Sequence, residues 1–184
     1  KFTLSYIGVL EQLRNPEILW ETLNDLVQEN ADFKNDFQLK FVGRLDDKIL
    51  QKIESSPLKN NLTNLGYQTH DVALKHMQDS SVLLITNFPQ ESSKGIIPGK
   101  IFEYLATGKT ILSFGPKDAD VEKILIETKA GKHFGYNEKE NLKNFILESY
   151  QNWKSGTLNQ NAENIEQFSR KNLTQKLVDL MNKI

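Results

Sequence analysis

The amino-acid sequence predicts an α/β domain, a Rossmann-like parallel sheet with helices on both faces. Three observations predict it. Strand-like and helix-like segments alternate along almost the whole chain, the pattern of repeated β-α-β units. The run Val82–Thr86 (VLLIT) is short and nearly all apolar, and Thr110–Phe114 (TILSF) resembles it; such runs suit parallel strands covered on both faces. Four strand candidates end at or beside a glycine: Gly8, Gly43, Gly66 and Gly115. Glycine suits tight turns, and several along one sheet edge also let a ligand approach the backbone.

Element by element, Phe2–Gly8 reads as a strand. Pro16–Asn30 reads as a helix, with Asn15 as N-cap and Pro16 in its first turn. Its apolar residues Ile18, Leu19, Leu23, Leu26 and Val27 recur at helical spacing. Phe37–Gly43 is the second strand and Asp46–Ser55 a short helix that Pro57 stops. The pair Asp46–Asp47 suits a helix start, where negative charge is favourable. Asn61–Tyr67 is a weak strand, and Asp71–Gln78 a helix capped by Thr69. After the buried run Val82–Thr86, a loop covers Asn87–Ile97 and a helix covers Pro98–Thr107. Thr110–Phe114, a helix over Asp118–Thr128, the weak strand Gly131–Gly135 and a helix over Glu138–Lys154 follow. A final amphipathic helix spans Ala162–Lys183, with Ile165, Phe168, Leu173, Leu177, Leu180 and Met181 on one side.

Size and composition narrow the functional classes. The 184 residues suit one domain, and 38% hydrophobic with 26% charged residues is ordinary for a globular chain. A net charge of −1 gives no reason to expect nucleic acid or an acidic membrane as partner. With no cysteine, disulfides, thiolate catalysis and cysteine-bound metal are excluded. No apolar run approaches the roughly 20 residues that cross a bilayer, and no signal peptide is visible. The chain opens at Lys1 without methionine and runs straight into a strand. The expectation is a piece of a longer protein.

The segment Lys94–Lys109 (KGIIPGKIFEYLATGK) carries most of the chemistry. Pro98 suits a first helical turn because its missing N–H costs nothing there. Gly95 and Gly99 strip side chains from the same place. A helix start of this kind presents bare amides to an anion. Lys100 adds a full positive charge, and Glu103 lies one turn on. Tyr104 and Thr107 share that face, leaving Ile101, Phe102, Leu105 and Ala106 to pack on the sheet. The amides and Lys100 suit a diphosphate, and Glu103 suits two ribose hydroxyls. The plain alternative is an amphipathic helix with a Lys–Glu surface pair, which would stabilise by only about 0.3–0.5 kcal/mol.

The stretch GIIPGKIFEYLATGKTIL resembles the signature of family 4 retaining glycosyltransferases, whose fold is the two-domain GT-B type. The wording IPGKIFEYLA is similar to the branch acting on bacterial surface polysaccharides. The likeness covers nearly the whole chain, from YIGVLEQLRNPEIL through FVGRL to the paired terminal helices. It implies that the chain is the C-terminal, donor-binding half of such an enzyme. The donor would be a nucleotide-diphosphate sugar, bound by Gly8, Arg14, Arg44, Tyr67, Gly95, Ile97, Pro98, Gly99, Lys100 and Glu103.

The family signature has two glutamates separated by seven residues. Glu103 matches the second, at the ribose position. The first falls on Gly95, so backbone amides around Gly95–Gly99 would serve in its place. Arg14 falls where family members put basic residues facing the diphosphate; it could also be a solvated loop residue or a partner for Glu11. Arg44 could line the base pocket or the phosphate site, and Tyr67 could stack on a base or simply pack at the rim. His70, His76 and His133 lack metal-ligand spacing, and no DxD motif is present.

The resemblance therefore implies no metal and no cofactor, with helix dipole and cations stabilising the leaving diphosphate. It also implies a missing N-terminal domain that carries the acceptor site and the main catalytic residues. This piece alone would then bind donor without turnover, and the last helix would either brace the missing half or simply pack on its own domain. The whole enzyme would be cytoplasmic, with peripheral association at the inner membrane face as an open alternative. Two rival readings remain at this level, an epimerase of GT-B fold acting on nucleotide sugars and a non-catalytic flavodoxin-like binding module. A P-loop enzyme is excluded, because neither Gly95–Lys100 nor Gly108–Thr110 completes GxxxxGK[ST].

Overall fold

A computed structural model describes residues 1–158 and 162–182. Six strands form one sheet: β1 (Phe2–Ile7), β2 (Phe37–Val42), β3 (Leu62–Asn64), β4 (Val82–Thr86), β5 (Thr110–Phe114) and β6 (Gly131–Phe134). Every pairing is parallel, and the spatial order is β3-β2-β1-β4-β5-β6. The chain winds outward from β1 to β3, then crosses back to start again at β4. Its direction of winding reverses between β1 and β4. The carboxyl ends of those two strands, where the winding reverses, are the usual place for a ligand crevice in such a sheet.

Helices cover both faces. On one side lie α1 (Glu17–Glu29), α2 (Ala31–Asp36), α3 (Asp47–Glu54) and α7 (Lys139–Lys154). On the other lie α4 (His70–Gln78), α5 (Lys100–Ala106) and α6 (Asp120–Thr128). The strands alternate between the two layers: Leu4 and Tyr6 face α1 and α7, whereas Ile7 faces α5. Phe2, Phe33, Phe37 and Tyr150 pack ring to ring at the amino end of the sheet, with centroids 4.9–6.2 Å apart. That cluster anchors the end opposite the crevice.

Several local expectations change. Asn15 does not cap α1; its side-chain oxygen accepts from the buried Trp20 indole at 2.7 Å, and Pro16 stands at the cap. The aromatic N–H is deeply enclosed and needs that partner more than an exposed helix end does. Helix α2 is an addition, begun by Asn30, whose side chain accepts from the Phe33 amide. Thr69 holds the cap position of α4 without a side-chain bond. The weak third strand shrinks to Leu62–Asn64, preceded by a 3-10 turn at Pro57–Asn61. The last helix is split into a 3-10 turn, Ile165–Phe168, and α8, Arg170–Met181. Lys183 lies outside the described residues.

Ile165 and Phe168 pack on the α5 side of the core, Phe168 against Phe102 with centroids 6.2 Å apart. Helix α8 buries none of its residues. Leu173, Leu177 and Leu180 form an exposed stripe along it.

Candidate functional site

The site is built from the turns that follow β1, β2 and β4. Past Ile7 and Val42 the chain turns through Gly8 (φ +119°) and Gly43 (φ +124°). The two strands stay tied beyond those turns, Leu10 N–H donating to the Arg44 carbonyl at 2.9 Å and Asp46 N–H to Leu10 at 3.0 Å. Side-chain capping by Asp46 on Lys48 then starts α3.

Lys100 reaches across the crevice from α5. Its ammonium donates to the Ile7 carbonyl at 2.8 Å and sits 4.0 Å from the centre of the Tyr6 ring. A Cβ on Gly8 would lie 3.2 Å from the same nitrogen. Glycine at position 8 therefore gives the lysine its seat. Tyr104 supports the arrangement from below, its hydroxyl accepting from Ile7 N–H at 3.3 Å. Among the described residues, no carboxylate lies within ion-pair range of Lys100. Burial first, then the charge of Arg14, lower its pKa to about 7, while Glu103 pulls the other way.

Arg14 is held at the same rim by its own turn. One guanidinium nitrogen donates to the Val9 carbonyl and to the Glu11 carboxylate, each at 3.2 Å. The group lies 5.5 Å over the Phe88 ring. Its Nε is buried and has no partner. The Glu11 pairing is thus real, yet it leaves one N–H unused.

The loop from β4 to α5 supplies amides. Among the described residues, the N–H groups of Ile97, Gly99 and Lys100 make no hydrogen bond. Helix α5 begins at Lys100, two residues later than the sequence suggests, and has seven residues. Its macrodipole is correspondingly modest; the individual amides and Lys100 carry the anion-binding capacity. The helix is also rotated from its expected setting. Ile101, Tyr104 and Leu105 are its buried residues, Phe102 is half-buried and Ala106 is exposed. The three buried positions form one helical stripe, and the tyrosine can be buried because its hydroxyl meets the Ile7 backbone.

The remaining expected residues spread along the same sheet edge. Glu103 is exposed one turn from Lys100. Gly95 leaves an open place about which a Cβ would find only the Asp120 carboxylate, 4.0 Å away. Pro98 is half-buried, and Ile97 and Gly99 are exposed. Arg44 is exposed and lines a groove of about 540 Å³ with Val9, Leu13 and Asp46. Tyr67, after Gly66, is 88% exposed. The structure therefore gathers Gly8, Arg14 and the Lys100 side chain, with the 97–100 amides in the segment that leads into α5 and Arg44 in the groove beside the β1 turn. Sequence reasoning missed Tyr6, Thr86 and Asn87, all buried at this edge; each stands within or just after a recognised strand, the one signal that could have found them. Among the described residues, no group of three or more His, Asp or Glu could hold a metal. Among the described residues, no helix is long and apolar enough to cross a membrane.

His133 closes the far end of the edge. Its ring nitrogens bond the Ser113 hydroxyl at 3.0 Å and the Pro116 carbonyl at 3.1 Å. The carbonyl can only accept, so that nitrogen carries the proton and the other accepts from serine. Burial lowers the pKa of this histidine. The unfolded chain then binds more protons between the folded and unfolded values, so stability is full above about pH 6.5 and falls as pH drops below it. We expect urea unfolding at pH 5.5 to show a loss relative to pH 7.5 that shrinks in His133→Gln. An equal loss in both proteins would refute the assignment.

No protein-family model matches the chain, and no curated protein matches it. Solved structures do. Staphylococcus aureus TarM, in a complex with UDP, aligns with a TM-score of 0.70 and 18% identity, over 99% of this chain and 36% of TarM. Anabaena HepE in complex with UDP-glucose aligns at 0.69 and 17% identity, over 100% of this chain and 49% of HepE. The C-terminal domain of a Francisella tularensis group 1 glycosyl transferase, LpcC, aligns at 0.66 and 11%, over 90% of this chain and 84% of that one. At such identities the likeness establishes the fold, the Rossmann-like arrangement found in GT-B glycosyltransferases. The chain spans about half or less of the TarM and HepE structures.

Proposed function

We propose that this chain is the donor-binding half of a family 4 retaining glycosyltransferase, holding a nucleotide-diphosphate sugar at the crevice between β1 and β4. The observation that carries the reading is Lys100. A half-buried ammonium with no carboxylate partner, on the helix that three unused amides lead into, adds little to stability and is suited to receive an anion. The UDP and UDP-glucose in the structures of TarM and HepE support the same ligand class.

In transfer, the bond between the sugar carbon and the diphosphate oxygen would break, the acceptor hydroxyl oxygen would bond that carbon, and the acceptor's proton would leave with the nucleoside diphosphate. Negative charge grows on the departing diphosphate. Lys100, Arg14 and the amides of Ile97, Gly99 and Lys100 would stabilise that charge with no metal or cofactor. Glu103 would accept from the ribose hydroxyls. Arg44 and Tyr67 would approach the base only when ligand or a second domain draws them in. The acceptor site and the main catalytic residues belong to an N-terminal domain, and the exposed α8 stripe suits contact with it. Bacterial polysaccharide synthesis, at the cytoplasmic side of the membrane, is the setting this reading favours.

Calorimetric titration with UDP, GDP and ADP tests the reading. One of the three should bind, and Glu103→Ala should weaken it by about 10- to 100-fold through loss of charged hydrogen bonds. Failure of all three, on this chain and on the full-length protein, would sink the proposal.

A further inference from the structure

Asn87 stands just past the end of β4, is 2% exposed, and joins three separate segments. Its backbone N–H donates to the carbonyl of Phe114, the last residue of β5, at 2.8 Å. Its backbone carbonyl accepts from the Tyr136 hydroxyl, after β6. Its side-chain amide donates to the Ile96 carbonyl at 2.7 Å, nine residues along the chain. Gly115 keeps the space open, since a Cβ there would lie 2.9 Å from the His133 ring and 3.4 Å from Asn87. The first two bonds fix Asn87 on the sheet. The third transmits that fixed position to the loop.

Ile96 immediately precedes the stretch whose amides are unused. Peptide planarity makes its carbonyl and the Ile97 N–H a single rigid unit. Holding that carbonyl therefore sets the direction of the Ile97 N–H and constrains Gly99 and Lys100 behind it. We propose that Asn87 is a positioning residue for the anion site, aiming the Ile97, Gly99 and Lys100 amides at the bound diphosphate through the Ile96 carbonyl. The proposal rests on the donor-binding reading given above. Pre-aimed donors bind a charged group without first being ordered, so loss of the tie should appear as lost affinity before lost fold.

Ser93 supplies the control. Its hydroxyl lies 2.7 Å from the carbonyls of Phe88 and Gln90; Ile96 N–H bonds only the Ser93 backbone carbonyl, at 2.9 Å, which a Ser93→Ala change keeps. Both Asn87→Ala and Ser93→Ala should cost the loop a hydrogen bond. Only Asn87→Ala should weaken UDP binding, by about tenfold, and only it should broaden the amide resonances of Ile97, Gly99 and Lys100 in the free domain. Tyr136→Phe, which frees the Asn87 carbonyl from another element, should do the same to a smaller degree and serves if Asn87→Ala fails to fold. Equal effects in the Asn87 and Ser93 variants would overturn the proposal, as would undisturbed amides. If wild-type protein binds no nucleotide at all, the donor reading falls, while the amide resonances still report whether Asn87 aims the loop.

Discussion

Gly43→Ala is expected to destabilise the domain by about 3 kcal/mol or more, the steepest loss for so small a change. Two causes act together. The backbone at Gly43 has φ +124°, a conformation that L side chains rarely adopt. A Cβ built there would lie 2.2 Å from the Gly8 carbonyl oxygen and 2.8 Å from its carbon. Those atoms are backbone, so no rotamer change relieves the overlap. The ends of β1 and β2 must separate, and the bonds from Leu10 to Arg44 and from Asp46 to Leu10 go with them. Gly66→Ala is the matched comparison. Its φ is +62° and an added Cβ meets nothing within 4 Å, so its cost should be about 1 kcal/mol, from conformation alone. Chemical unfolding of the three proteins measures the difference. Similar stabilities for the two variants would show that the Gly8–Gly43 contact relaxes cheaply.

That contact also marks where the sequence was legible. Alternating strands and helices, the apolar run at β4 and the glycines after β1 and β2 place the sheet, its parallel sense and its ligand edge. The signal is strong because it is local: a parallel strand covered on both faces has to be apolar throughout, and a tight turn has to admit unusual dihedrals. Lys100 and Arg14 were visible as cations near that edge for the same reason. The seat of Lys100 was not. Its partners, the Ile7 carbonyl and the Tyr6 ring, lie more than 90 residues away, and no periodicity reports a side chain crossing from one element to the end of another. The rotation of α5 was hidden too, because tyrosine reads as either a rim or a core residue until a partner for its hydroxyl is found. Asn87 looked like an ordinary loop residue, since its value comes from three elements converging on it.

Affinity for the diphosphate should depend on pH in a direction set by Lys100. In the free domain burial and Arg14 hold its pKa near 7, lowered from the usual 10.5. A bound diphosphate brings negative charge beside the ammonium and raises that value again. The complex then holds more protons than the free protein above pH 7, so binding must take up protons there and must weaken as pH rises. The expected slope approaches tenfold per pH unit above 7, until the pKa of the complex is reached. Below about pH 6 the terminal phosphate itself gains a proton, and affinity should fall again. Calorimetry at pH 8 in buffers of different ionisation enthalpy counts the protons directly. Wild-type protein should take up close to one proton per UDP bound, whereas Lys100→Met should take up none and bind about 10- to 100-fold more weakly at pH 7. A variant that binds as tightly as wild type would remove Lys100 from the site. Tight wild-type binding without proton uptake would leave it there as a lysine charged in both states.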